Sequence, residues 1–207
     1  MGNDKIILFD FDGVIVNSFK TAFGVNKMLR TKTDFSEDDY RKCFEGNIFD
    51  KQPKNNEKID DEEFFKLYIP KLLQLPVIDG IREALIELSG QYKLIIISSS
   101  TSNVIHDWLT KHNLVQYFVD ILGADVHKSK IEKIKMVFEK YGTGVADCVF
   151  ITDTLGDLRE ANKLNVQSLA VTYGVHNEAT LSNGNPIALI RRPQDIVAEV
   201  EKYWNKI

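Results

Sequence analysis

Three short apolar runs each stop at a polar or acidic residue, and no other feature narrows the fold so far. Lys5-Ile6-Ile7-Leu8-Phe9 stops at Asp10, Lys93-Leu94-Ile95-Ile96-Ile97 at Ser98, and Cys148-Val149-Phe150-Ile151 at Thr152-Asp153. Each run is of strand length and lacks the polar alternation of a strand with one wet face. Strands of that kind are buried on both sides, as in a parallel sheet covered by helices. Val166 to Val171 is a weaker fourth run.

Helical spacing fills the intervals. Ile81, Ala84, Leu85 and Leu88 recur at helical period, as do Val104, Ile105, Trp108 and Leu109. Ile131, Ile134, Val137, Phe138 and Tyr141 form a third such set, and Leu158, Ala161 and Leu164 a fourth. Alternating strand and helix predicts an α/β fold with a doubly wound, Rossmann-like parallel sheet.

Between the first run and Ile81 the alternation lapses. Phe19 with Phe23, Met28 with Leu29, Tyr40 with Phe44, and Phe64 with Phe65, Tyr68 and Leu72 suggest helices. Asp60-Asp61-Glu62-Glu63 suits a helix N-terminus, where negative charge meets the positive end of the dipole. The polar stretch from Asp50 to Asp61 reads as a loop. The expected division is a core of residues 1–16 and 78–207, with residues 17–77 inserted as a small helical cap domain.

Composition excludes several classes of function. A 207-residue chain with a net charge of −4 and mixed signs lacks the basic balance of a nucleic-acid binder. No apolar run approaches membrane-span length. Cys43 and Cys148 are too far apart for a zinc motif or a disulfide framework, and the opening residues lack signal-peptide architecture, which favours a cytoplasmic setting. Both cysteines read as buried apolar residues. His106, His112 and His176 fit no ligand spacing and are assigned to surface or helix, His176 in a post-strand loop near the site's rim.

In an open parallel sheet, ligands bind beyond the carboxyl ends of the strands. The residues there are Asp10 and Asp12, Ser98, and Asp153 with Asp157. Asp10-Phe11-Asp12-Gly13 places two acids around one apolar residue and turns at a glycine. Clustered carboxylates repel one another, and a hard divalent cation such as magnesium relieves that repulsion. A solvated strand end with an Asp-Gly turn would look the same in isolation. Asp153 or Thr154 could simply cap the next helix, with Asp157 near its dipole. Ser98 to Ser102 can cap a helix or cradle an anion, with Ser98 and Ser99 nearest the strand. His127-Lys128-Ser129-Lys130 and Lys133 supply cations, and most of these lysines suit a solvated helix face.

Taken in order, these motifs resemble the haloacid dehalogenase superfamily of hydrolases, in its phosphoglycolate phosphatase-like branch. Asp10-Phe11-Asp12-Gly13 matches its first motif in full, Ser98 its second, a lysine ahead of a helix its third, and Asp153 with Asp157 its fourth. The branch also places a helical cap between its first and second motifs. The third motif often reads Lys-Pro; this chain has no proline there, and Thr152 stands where the fourth usually has glycine. Lys128 and Lys130 therefore compete, with Lys130 preferred because it directly precedes the helix pattern. The resemblance implies a magnesium-dependent phosphatase acting on a small phosphorylated metabolite through an aspartyl-phosphate. Asp10 would be the nucleophile and Asp12 the general acid and base. Ser98, Ser99, Gly13 and Lys130 would hold the phosphoryl group. Asp10, Asp12, Asp153 and Asp157 would hold the metal. Asn17, Ser18 and Gly46 are candidates for contact with the leaving group. The alternatives are a β-phosphoglucomutase-like phosphomutase, a dehalogenase, against which Asp12 argues, and a non-catalytic binding protein on the same fold.

Overall fold

The computed structural model describes residues 5–31, 34–49 and 59–205. The sequence expectation for Asp50 to Asp61 therefore falls largely outside the described residues. Strand β1 (Ile6–Phe9) is fully buried. Its alternate residues serve two cores: Ile7 and Phe9 face one layer of helices, Ile6 and Leu8 the other. That two-sided burial explains why the run shows no polar alternation.

After β1 come α1 (Phe19–Leu29), α2 (Glu37–Lys42) and α3 (Asp61–Leu72). Ser36 caps α2 in a reciprocal capping box with Asp39. Asp60 caps α3 by accepting from the Glu63 amide at 3.0 Å, so the acidic run does mark a helix start. The chain leaves and re-enters the sheet region side by side. Val16 pairs with Val77, and the Ile78 amide donates to Ile15 O at 3.0 Å.

The remainder alternates: α4 (Ile81–Ser89), β2 (Lys93–Ile97), α5 (Ser102–Lys111), β3 (Phe118–Leu122), α6 (Lys130–Tyr141), β4 (Cys148–Thr152), α7 (Leu155–Asn162), β5 (Gln167–Val171), α8 (Glu178–Ser182), β6 (Ala188–Ile190) and α9 (Ile196–Trp204). All six strands are parallel, in the order β3-β2-β1-β4-β5-β6. Residues of α4, α5 and α9, with the fully buried Trp108 among them, pack in one core; residues of α6 and α7 pack in the other. The chain runs outward from β1 to β3, then returns to place β4 beside β1. The resulting switch point between β1 and β4 is where such a sheet opens a ligand crevice. The fold is thus a doubly wound, Rossmann-like sheet with an inserted helical subdomain. Among the described residues, no helix is long and apolar enough to cross a membrane.

Two strands, β3 and β6, carry no clear signal in the sequence, and both are sheet edges. Val119 is exposed in β3 and Asp120 interrupts its apolar run, while β6 has three residues. An edge strand lacks the double-sided burial that makes the central strands readable.

Candidate active site

Asp10 follows β1, and its amide extends the ladder to Ile151 O at 2.9 Å. Its carboxylate turns into the crevice, where Oδ1 accepts from the Phe11 amide at 2.7 Å. Lys130, the first residue of α6, enters from the other side. Its Nζ lies 2.8 Å from Asp10 Oδ2 and 2.5 Å from Asp157 Oδ2. Thr152 also donates to Asp157 Oδ2, at 2.7 Å. Lys128 lies elsewhere on the cavity wall, its Nζ 5.3 Å from the Phe49 ring centre.

Asp157 has two structural assignments at once. Thr154 caps α7 by accepting from the Asp157 amide, so the capping interpretation of this motif holds for Thr154. The Asp157 side chain meanwhile belongs to the crevice. Asp153 is fully buried. Its Oδ2 accepts from the Val175 amide at 2.6 Å, while Oδ1 is buried with no hydrogen-bond partner among the described residues. Gly13 makes room for it: its φ is +77°, and a Cβ there would run into the Asp153 carboxylate. Gly13 lies off the cavity wall and its amide donates to Val16 O, so it supplies space rather than a donor.

Asp12 is held by hydroxyls. Ser18 donates to Oδ1 at 2.6 Å, Tyr68 to Oδ1 at 3.1 Å and Ser100 to Oδ2 at 2.7 Å. Ser98 is fully buried, its Oγ accepting from the Ser100 amide at 3.0 Å and its carbonyl accepting from Lys133. Ser99 and Ser100, rather than Ser98, reach the cavity wall. The amide and hydroxyl of Ser102 at the start of α5 are both bound by Asp125 Oδ1, so that helix end is already capped.

The electrostatics are unbalanced. Three buried carboxylates, Asp10, Asp153 and Asp157, face two buried lysines: Lys130, paired with Asp10 and Asp157, and Lys133, which donates to Ser98 O. Burial drives Asp10 well above the ordinary carboxylate range despite Lys130, with Asp157 and Asp153 adding to the rise. Burial likewise takes Asp153 to about 7. At Asp157 burial pulls upward, but the Lys130 charge and hydrogen bonds with Asp10, Lys130 and Thr152 outweigh it, and the net shift is downward. Lys130 is raised: burial opposes its charge, and the two aspartates prevail. Among the described residues, no three acidic, histidine or cysteine side chains form a ready-made ligand cage. The site nonetheless suits a hard cation, because Asp153 Oδ1 is unpaired and negative charge exceeds positive.

Above these groups lies a cavity of about 520 Å³. Ser18 and Gly46 line it; Asn17 is exposed and does not. Glu160, which no sequence motif marks, is buried on its wall and accepts from Ser129 Oγ at 3.0 Å and Asn47 Nδ2 at 3.3 Å. His176 is buried rather than at the surface. Its Nδ1 accepts from the Leu155 amide at 3.0 Å, which leaves Nε2 to donate to Arg41 O at 3.1 Å. That contact is one of several joining the helical insertion to the core. Arg159 donates to Glu45 O, Arg41 to Val175 O, and the backbone of Gly46 packs so close to Gly156 that a Cβ would not fit. Neither cysteine is in a disulfide, and Cys43 is half-buried on the cavity wall rather than in a core.

A family model described as haloacid dehalogenase-like hydrolase matches residues 7–171. The phosphoglycolate phosphatase of Vibrio vulnificus is 24% identical over 208 aligned positions, covering 89% of this chain and 88% of that protein. The phosphoglycolate phosphatase of Vibrio parahaemolyticus is 24% identical over 110 positions; that alignment covers 51% of this chain and 48% of the relative, about half its length. A solved structure of a haloacid dehalogenase-like family hydrolase from Streptococcus pneumoniae superposes with a TM-score of 0.79 at 22% identity, covering 95% of this chain and 98% of that one.

Proposed function

The chain belongs to the haloacid dehalogenase-like hydrolase family, and on that footing we propose that it hydrolyses a phosphate monoester of a small metabolite, with magnesium bound, through an aspartyl-phosphate on Asp10. The observation that carries this reading is the placement of Lys130 Nζ between Asp10 and Asp157 at the switch point of the sheet. A nucleophilic carboxylate beside a buried ammonium can meet a phosphoryl group without prohibitive repulsion.

In the first step Asp10 attacks phosphorus and the bond to the leaving oxygen breaks. Asp12 gives that oxygen its proton and the alcohol departs. In the second step water attacks the same phosphorus, Asp12 takes the water's proton, and inorganic phosphate and free Asp10 result. Hydroxyls both donate and accept, so Ser18, Ser100 and Tyr68 can hold Asp12 in either protonation state. Lys130 and the Ser99 region would bind the phosphoryl oxygens, with Ser98 bracing that loop from beneath. Magnesium would be held by the Asp10 and Asp153 carboxylates and the Asp12 carbonyl, with Asp157 orienting bound water. When bound, it supplies positive charge that the three carboxylates lack. Residues 17–77 would act as the cap over a core of 1–16 and 78–207, working in the cytoplasm.

The test is hydrolysis of an aryl phosphate with magnesium and with chelator, in wild type and Asp10→Asn. Magnesium-dependent turnover lost in Asp10→Asn supports the assignment; turnover that persists in the variant overturns it. Activity on a sugar phosphate only in the presence of a bisphosphate activator would move the reading to a phosphomutase.

A further inference from the structure

The cavity is larger and more aromatic than a two-carbon leaving group needs. Its volume of about 520 Å³ falls in the range that encloses a drug-sized ligand. The phosphoryl group would take only the end beside Asp10, Asp12 and Lys130. The rest is walled by the helical insertion, which contributes two groups of rings. In one, Phe19, Tyr40 and Phe44 pack with ring centres 5.2 to 6.4 Å apart. In the other, Phe64 stacks on Tyr68 at 5.2 Å and meets Phe65 edge-on at 5.5 Å. Phe44, Phe64 and Phe65 pack against the cores on one side but are only half-buried and line the cavity, so part of each ring is left on its wall.

The charge on the wall does not single out a second anionic group on the substrate. Among the described residues lining the cavity, five are acidic and three basic. Of the basic ones, Lys130 is committed to Asp10 and Asp157, the Arg30 guanidinium sits 3.8 Å over Phe35 while donating to Asn26, and Lys128 Nζ lies 5.3 Å from the Phe49 ring centre. Away from Asp10, Asp12, Asp157 and Lys130 the described lining charges balance, Asp61 and Glu160 against Arg30 and Lys128, so a carboxylate such as that of phosphoglycolate meets no net attraction there. A planar aromatic group would instead find rings to stack on.

We infer that the leaving alcohol carries a planar aromatic or heteroaromatic group, seated between the rings of α1, α2 and α3; this rests on the phosphatase reading of the same site. The experiment compares kcat/KM for 2-naphthylmethyl phosphate and phosphoglycolate in wild type, Phe44→Ala, Phe64→Ala and the volume-conserving Phe64→Leu. Binding of 2-naphthylmethylphosphonate and phosphonoacetate to magnesium-loaded Asp10→Asn is measured alongside by calorimetry. The naphthyl ester is expected to be the better substrate, and each substitution to lower its kcat/KM about tenfold more than that of phosphoglycolate. Preference for phosphoglycolate, or equal losses on both esters, overturns the inference and leaves the phosphatase reading intact. Tight binding of the naphthyl phosphonate with no turnover of any ester by wild type overturns the phosphatase reading and supports the aromatic seat.

Discussion

The Tyr68 hydroxyl, carried on α3 of the helical insertion, lies 3.1 Å from Asp12 Oδ1 in the crevice of the core. Burial and the neighbouring Asp12 charge push the Tyr68 phenol well above its ordinary range, so it stays a donor at physiological pH. Tyr68→Phe removes that hydrogen bond but keeps the ring. Ser18 and Ser100 still hold Asp12, so a loss of about tenfold in kcat is expected, nearer the lower end of what a hydrogen bond to a charged group contributes. Steady-state kinetics check this, with thermal unfolding showing a near-unchanged midpoint.

Lys130→Met removes the ammonium paired with both Asp10 and Asp157 while retaining most of the volume. Breaking a buried ion pair from one side typically costs about 3–5 kcal/mol, because the partner charges are left uncompensated. Denaturant unfolding at neutral pH should show a loss of that order, and turnover should fall to background.

Among the described residues, Asp153 Oδ1 has no hydrogen-bond partner. A ligand that binds only the folded state raises stability. Magnesium without substrate should therefore raise the thermal midpoint of wild type, and Asp153→Asn should reduce that shift. An equal shift in the variant would remove Asp153 from the ligand set.

His176 is buried with Nδ1 committed as an acceptor, and burial holds its pKa below the ordinary histidine value. Arg41 adds to that depression, while its own backbone carbonyl, Glu45 and Asp157 oppose it. The folded protein thus binds fewer protons here than the unfolded chain. Its stability contribution is complete above about pH 6.5 and is lost as pH falls through the lower folded value. Protonation would also set an N–H against the Leu155 amide. The unfolding midpoint of wild type should decline below about pH 6.5, and His176→Gln should be less stable at neutral pH but flatter in that window.

Legibility in the sequence tracks burial and distance along the chain. Strands β1, β2, β4 and β5 are visible because both faces are covered; β3 and β6 are not, because an edge strand need not be apolar on both sides. Asp10, Asp153 and Asp157 are visible because a parallel sheet gathers the residues just past its strands along one edge. The structure brings Asp10, Asp157 and Lys130 within hydrogen-bond reach and leaves Lys128 on the wall. Tyr68 reads only as part of a helix pattern, Ser100 only as part of a serine-rich helix start, and Glu160 gives no signal. Tyr68 is 56 residues from Asp12 and Ser100 is 88, and only tertiary packing brings them together. Ser98 sits one step further from the cavity than its motif suggests, since the first residue off a buried strand is still inside the protein.

The contacts that seat the insertion on the core have a consequence for redesign. Arg159 and His176 grip it through the carbonyls of Glu45 and Arg41, and Gly156 rests against the backbone of Gly46. Every amino acid carries the same carbonyl. Exchanging rings at Phe44, Phe64 and Phe65 therefore leaves these particular backbone contacts in place, and apolar replacements of similar volume would keep the packing that the same rings give the cores.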